Sequence, residues 1–396
     1  MNDKFGNRLS CASVDAMRAY EQAVDLHLHA LLGVEEALAA ALAAQPDFGL
    51  AHGLHALVLA PREMARARTS LARARETQLT ARERSFVELV SLVLEGRTID
   101  AMHGVLAHCE AHPTDALAAS MAVGAYGVIA FSGRADHDSA RLQFLERLAP
   151  HYPEDFAWLL SNRGWARVES GQIEEGLEMT LRASRLRRDN GHNAHHVMHG
   201  YFEAGRPEDA LAFLEAWIPD YPRQALMWGH LQWHAALVEL ELDREDAVAR
   251  RLMGPILSYL PGGLPFMGLA DMASLLWRMR LRGMTGLPWG AAHAHAARHF
   301  AQGSNAFGEL HLAMLAAERS DRAALDASVL RLRALGERGY ESARPATEWV
   351  RALRAALDND SSAARSHIEA AQAEMVRVGG SHAQRGIVDH TRAAFA

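Results

Sequence analysis

The chain has 396 residues, 49% of them hydrophobic and 22% charged, with a formal net charge of −7 at pH 7. Apolar content on that scale excludes a disordered chain, and the acidic balance excludes a global basic field for nucleic acid or an anionic membrane. Lys4 is the only lysine, which excludes a Schiff-base mechanism, a pyridoxal phosphate cofactor and the phosphate-binding lysine of a P-loop, so no nucleotide cofactor is expected.

The first 20 residues lack the charged start and apolar core of a secretory signal, so a cytoplasmic location is expected. Cys11 and Cys109 are too few for a disulfide framework or a thiolate metal site, and read as packing residues. Strand-like alternation is rare, whereas alanine, leucine, arginine and glutamate fill long segments of 3.6-residue period. The fold class is all-α.

Turn signals recur along the chain. Glu95-Gly96-Arg97 is the first, and the uncharged stretch Ala116–Gly133 reads as a buried helix rather than a membrane span, because glycine and serine interrupt it. Prolines at Pro113, Pro153 and Pro222 mark places where one helical pair hands over to the next. Gly171 and Gly205 stand 34 residues apart, the tetratricopeptide period. Similar turns follow at Leu242-Asp243-Arg244 and Arg319-Ser320-Asp321. Regular stacking is expected to lapse between about 260 and 291, where Pro261-Gly262-Gly263 and Gly283-Met284-Thr285-Gly286 fall. The chain reads as one superhelix of tetratricopeptide-like hairpins over residues 1–396, with room to close around a central pocket.

Two histidine pairs stand out. His192/His196 and His230/His234 are each spaced i,i+4, so each projects from one helix face, and they lie 38 residues apart, about one repeat. First helices of successive repeats pack side by side, so the four imidazoles are expected to share a face. Such a cluster suits a divalent metal or acid–base chemistry near neutral pH. In a chain with 22 histidines, chance pairs also arise, and His295/His299 reads as one of these. His195 and His199, rotated from the His192/His196 face, read as packing or supporting residues.

The segments Gly191-His192-Asn193-Ala194-His195-His196 and His230-Leu231-Gln232-Trp233-His234 resemble the paired-histidine signature of the tetratricopeptide repeat protein 38-like family. The resemblance extends to Thr80-Ala81-Arg82-Glu83-Arg84, Asp271-Met272-Ala273-Ser274-Leu275-Leu276-Trp277-Arg278, Ala306-Phe307-Gly308-Glu309-Leu310-His311 and Gly379-Gly380-Ser381-His382-Ala383-Gln384-Arg385. Phe86 stands where the family has a histidine, Gly164-Trp165-Ala166-Arg167-Val168-Glu169 where it has a glutamate-rich segment, Glu309 for an aspartate, and Gly386 for another. The resemblance implies a tetratricopeptide-like superhelix and adds Asp271, Glu309, His311, His382, Gln384 and Arg385 to the candidate polar residues. Asp271 and Ser381 are equally candidates for helix caps, and Trp277 and Trp289 for either a pocket wall or core.

Two functions compete. In the first, a small-molecule ligand enters a pocket where His192, His196, His230, His234, His311, Asp271 and Glu309 supply acid–base or metal-assisted chemistry, the four paired histidines being the metal candidates. His382, Gln384, Arg385, Trp233 and Trp277 would then bind substrate. In the second, the array is a non-catalytic scaffold holding a peptide or protein partner in its groove.

Overall fold

The computed structural model describes residues 1–395. Among these no β-strand forms, and an isolated bridge joins Asn2 to Arg8. No helix is long and apolar enough to cross a membrane. The chain divides into two compact units, the first made of Met1–Ile129, Asp138–Arg206 and Phe213–Trp228, the second of Ala130–His137, Pro207–Ala212 and Gly229–Ala396.

In the first unit the helices are α1 (Val14–Leu28), α2 (Val34–Ala44), α3 (Gly49–Leu59), α4 (Met64–Glu76), α5 (Ala81–Leu94), α6 (Thr98–Ala111), α7 (Ala116–Val123), α8 (His137–Leu148), α9 (Ala157–Glu169), α10 (Ile173–Leu186) and α11 (Gly191–Glu203). Helix α12 (Pro207–Trp217) contributes residues to both units. The second unit continues with α13 (Trp228–Glu241), α14 (Glu245–Arg251), α15 (Leu257–Tyr259), α16 (Pro265–Leu281), α17 (Trp289–His299), α18 (Ala306–Glu318), α19 (Arg322–Glu337), α20 (Ala343–Leu357), α21 (Ser361–Glu374), α22 (His382–Arg385) and α23 (Ile387–Phe395).

Each unit repeats one packing scheme. A helix lies against its immediate successor and against the next but one: α3 against α4 and α5, α9 against α10 and α11, α16 against α17 and α18, α18 against α19 and α20. This is the stacked-hairpin arrangement of tetratricopeptide-like folds. The hairpin turns are made by left-handed residues, glycine at Gly96, Gly171 and Gly205 and then Asp243, Ser320 and Asn359. At Gly171 and Gly205, φ of +85° and +66° explains why glycine is retained.

Helix starts are equally local. Thr80 and Glu83 form a reciprocal capping box at α5, and Ser381 and Gln384 form another at α22. Asp115, Asn190, Asn305, Asp321 and Asp360 cap their helices through a side-chain oxygen. Behind the Thr80 cap, Arg82 is buried against Asp115, which also accepts from His108 Nε2 at 3.1 Å.

The stretch Ala116–Gly133 departs from the single helix expected of it. Helix α7 ends at Val123, because the backbone turns at Gly124 and Gly127, whose carbonyl-to-amide bond is 2.8 Å. A Cβ at Gly127 would lie 2.5 Å from the Ala122 carbonyl oxygen, so no larger residue fits that turn. The expected lapse near 260–291 is narrower than its limits, since α16 fills residues 265–281. Just before it, Leu252–Ile256 widens into a π-helical turn around Pro255, which has no amide to continue the α-helical ladder.

The glycine at 164 has a packing reason. Helices α9 and α10 approach so closely that a Cβ on Gly176 would stand 2.5 Å from the Gly164 carbonyl oxygen, and one on Gly164 2.8 Å from the Gly176 carbonyl. A bulky or charged residue at 164 would force the pair apart. The Gly176→Ala variant is expected to lose about 1–3 kcal/mol of stability by this overpacking, measured as a lower urea midpoint at unchanged helix content.

The first unit is also tied between distant parts of its sequence. The Gly191 amide donates to the His29 carbonyl at 3.0 Å, and Arg187 pairs with Asp25 at 2.8 Å. The Tyr221 hydroxyl donates to the Ala30 carbonyl, and its ring fills the space beside Gly191 where a Cβ would stand.

Candidate functional site

Each unit holds a buried chain of carboxylate, imidazole and imidazole. In the second unit, His230 and His234 lie one turn apart on α13, and their Nε2 atoms approach to 3.1 Å. His230 Nδ1 lies 3.0 Å from both carboxylate oxygens of Asp271 on α16. The partners determine the tautomers: His230 donates its Nδ1–H to Asp271, and its bare Nε2 accepts from His234 Nε2–H. His234 is fully buried, and Asp271 and His230 nearly so. Burial pushes the Asp271 carboxyl above its usual range, although His230 pulls in the opposite direction. Trp233 stacks on His230 with ring centroids 5.1 Å apart and planes 12° apart. Its buried indole N–H has no hydrogen-bond partner among the described residues.

The matching chain in the first unit runs through residues that the sequence pattern set aside. His195 and His199 on α11 bring their Nε2 atoms to 3.0 Å, and His199 Nδ1 lies 3.2 Å from the carboxylate of Glu169 at the end of α9. The pairing expected of His192/His196 therefore falls on His195/His199. Three residues turn an α-helix by about 300°, so the two faces differ by only about 60°, and spacing alone could not choose between them.

His196 has another role. Its Nδ1 is 2.7 Å from the Ser161 hydroxyl, and its ring stacks at 5.0 Å on Trp165, over whose indole the Arg141 guanidinium sits at 4.0 Å. Burial, reinforced by His192, His199 and Arg141, holds the His196 pKa well below the usual histidine value. His192 is only partly exposed, and burial lowers it to about 3, with His27 and His29 adding repulsion. Helix α11 thus places His192 and His196 in the first unit, whereas His230 and His234 belong to the second.

The remaining candidates are in the second unit, and several are held by structural contacts. Glu309 is fully buried and accepts two bonds from Arg331 at 2.9 Å each, one from the Ser328 hydroxyl and one from the Ser304 amide. With those acceptor positions filled, it fastens α18 to α19. Gln384, expected to bind substrate, accepts from the Ser381 amide at 3.0 Å as half of the α22 capping box. Arg385 donates to the Gly380 carbonyl at 2.6 Å, and Trp277 donates its N–H to Thr391 Oγ1 at 2.9 Å. Asp271 lies inside α16 and caps nothing. His382 is exposed at the start of α22. His311 is buried, donates Nδ1–H to the Phe307 carbonyl at 2.8 Å, and is lowered to about 4 by burial.

One residue of the Asp271–Arg278 segment had drawn no role. The Arg278 guanidinium is buried and donates to carbonyls, Ala383 at 2.7 Å and Ser274 at 3.4 Å. Burial lowers its pKa to about 10, against weak attraction from Glu241. Nearby in sequence, Arg251 grips Glu239 at 2.6 and 2.9 Å and Gln232 at 2.7 Å.

Open grooves lie elsewhere on the second unit. One, of about 350 Å3, runs between α19 and α20 and is lined by Leu332, Arg333, Tyr340, Arg344, Thr347 and Arg351 among others. Arg333 makes no ion pair among the described residues, Arg351 pairs with Glu348 at 2.8 Å within its own helix, and Arg344 pairs with Glu374.

No protein-family model matches the chain. Among solved structures it is similar to the TPR domain of P58(IPK), at 12% identity over 96% of this chain and 88% of that one, with a TM-score of 0.23. A likeness that slight transfers no property.

Proposed function

We propose that the chain is a helical-repeat interaction scaffold that binds a peptide or protein partner on exposed helical surface, its histidine networks serving to hold helices together. The observation that supports this reading is burial. His199, His234 and Glu309 are fully covered by protein, and both carboxylate oxygens of Glu309 and Oε1 of Gln384 are engaged in structural bonds. Accessible basic side chains line the groove between α19 and α20, where Arg333, Arg344 and Arg351 outnumber the acidic Glu341 and Glu348. Arg333, without an ion pair among the described residues, suits an acidic segment together with Tyr340. The lack of groove lysines leaves arginine to make every such contact. The order of sequence motifs supports placing the chain with the tetratricopeptide repeat protein 38-like proteins.

Titration of the full chain with a fluorescent array of acidic peptides tests this reading. The Arg333→Glu and Arg351→Glu double variant is expected to bind the best peptide at least tenfold more weakly, while His234→Gln binds it as wild type does. Equal affinity in the double variant and wild type would remove the groove from consideration.

A second reading is favoured by one observation, the Asp271–His230–His234 chain. A carboxylate that orients an imidazole and raises its basicity is a recurrent device of acid–base and metal-assisted sites. Under this reading a small molecule reaches His234, and His234→Gln abolishes its binding without loss of fold.

A further inference from the structure

We propose that the first unit holds a divalent transition-metal ion between Glu169, His199 and Glu203. The inference is independent of the scaffold reading. One ligand atom from each residue lies within 4.8 Å of the others, Glu169 and His199 being buried and Glu203 partly so. All three sit on rigid elements: Glu169 is the last residue of α9, and His199 and Glu203 occupy i,i+4 positions in the last turn of α11, which packs against α9.

The spacing fits a coordination shell. Metal bonds of about 2.0–2.2 Å place neighbouring ligand atoms roughly 3.0–3.5 Å apart, and Glu169 Oε1 lies 3.2 Å from His199 Nδ1. Three ligands drawn from two carboxylates and one imidazole suit zinc or manganese better than calcium, which requires six or more oxygens.

The far side of the His199 ring supports the assignment. His195 Nε2 lies 3.0 Å from His199 Nε2. With a cation on Nδ1, His199 carries its proton on Nε2 and donates it to His195, which is how outer partners orient ligating histidines. The partly exposed Glu203 side leaves room for water or an outside ligand to complete the coordination.

The full chain, stripped with chelator and dialysed, is titrated calorimetrically with zinc and with manganese, and the metal content is counted after gel filtration. The expected result is one tight equivalent of metal and a raised melting temperature. Glu203→Gln, checked for fold by circular dichroism, is expected to lose that equivalent or bind it at least tenfold more weakly. His195→Gln is expected to weaken it about tenfold, as for an outer partner. A wild-type chain that takes up no stoichiometric metal would overturn the proposal. So would a folded Glu203→Gln variant of unchanged affinity, since any metal seen would then sit on other histidines.

Discussion

Replacing Asp271 with alanine is expected to lower the unfolding free energy by about 2–3 kcal/mol, the cost of leaving a buried hydrogen-bond donor without its carboxylate acceptor. Both Asp271 oxygens lie 3.0 Å from His230 Nδ1, so the alanine variant leaves the imidazole donor buried with no acceptor from that helix. The tie between α13 and α16 goes with it. Asp271→Asn keeps one acceptor oxygen and should lose less. A double-mutant cycle with His230→Phe isolates the coupling between the two residues, and at least about 1 kcal/mol is expected. Urea unfolding of the four proteins measures it. If Asp271→Ala matches or exceeds wild type in stability, the scaffold reading loses its account of this network. The chain of side chains would then behave like a functional site maintained at the expense of stability.

The second large effect concerns acid. His196 and His311 are both buried, and burial places the folded-state pKa of His311 at about 4 and that of His196 well below the usual value. The folded chain therefore keeps both rings neutral, while the unfolded chain protonates them near pH 6.5. Their stabilisation is complete above pH 6.5 and is lost as pH falls toward the folded values, at about 1.4 kcal/mol per pH unit for each ring. His27 and His192, lowered to about 4 and about 3, act in the same direction. Asp115, lowered to about 2, belongs to another window, because its contribution is lost only below its unfolded value near pH 4. Urea midpoints should thus fall steeply between pH 6.5 and 5, and His311→Leu should remove roughly one proton's worth of that slope. A flat profile over this range would show that these rings are hydrated or charged in the folded chain.

Much of the fold was legible because the signals are local. A left-handed residue must end each hairpin, so Gly96, Gly171 and Gly205 announced their turns, and the turns near Leu242 and Ser320 stood out by analogy. In the former the left-handed residue is Asp243. Thr80 and Ser381 carry capping-box signatures three residues ahead of Glu83 and Gln384, a pattern that marks both motifs as helix starts.

The site was harder to read, because it depends on which face of a helix meets which neighbour. Spacing singled out His230/His234 and the structure pairs them, but the same rule chose His192/His196 over His195/His199, one face away. The partner of His199 is Glu169, 30 residues earlier, in the segment noted only for departing from a family pattern. Arg278 gave no signal at all, since its partners are backbone carbonyls that no sequence pattern reveals.

The tie between residues 25–30 and residues 187–221 has a kinetic consequence. Most helix contacts in the first unit join close neighbours along the chain, which assemble by closing short loops, although α1 also meets α7 about 90 residues later. The bonds from Gly191 and Tyr221 to the backbone at His29 and Ala30 close loops of about 160 and 190 residues, with a correspondingly larger entropy to overcome. They form after the hairpins they join, and the strap they make is the step at which a loose string of hairpins becomes a single cooperative body.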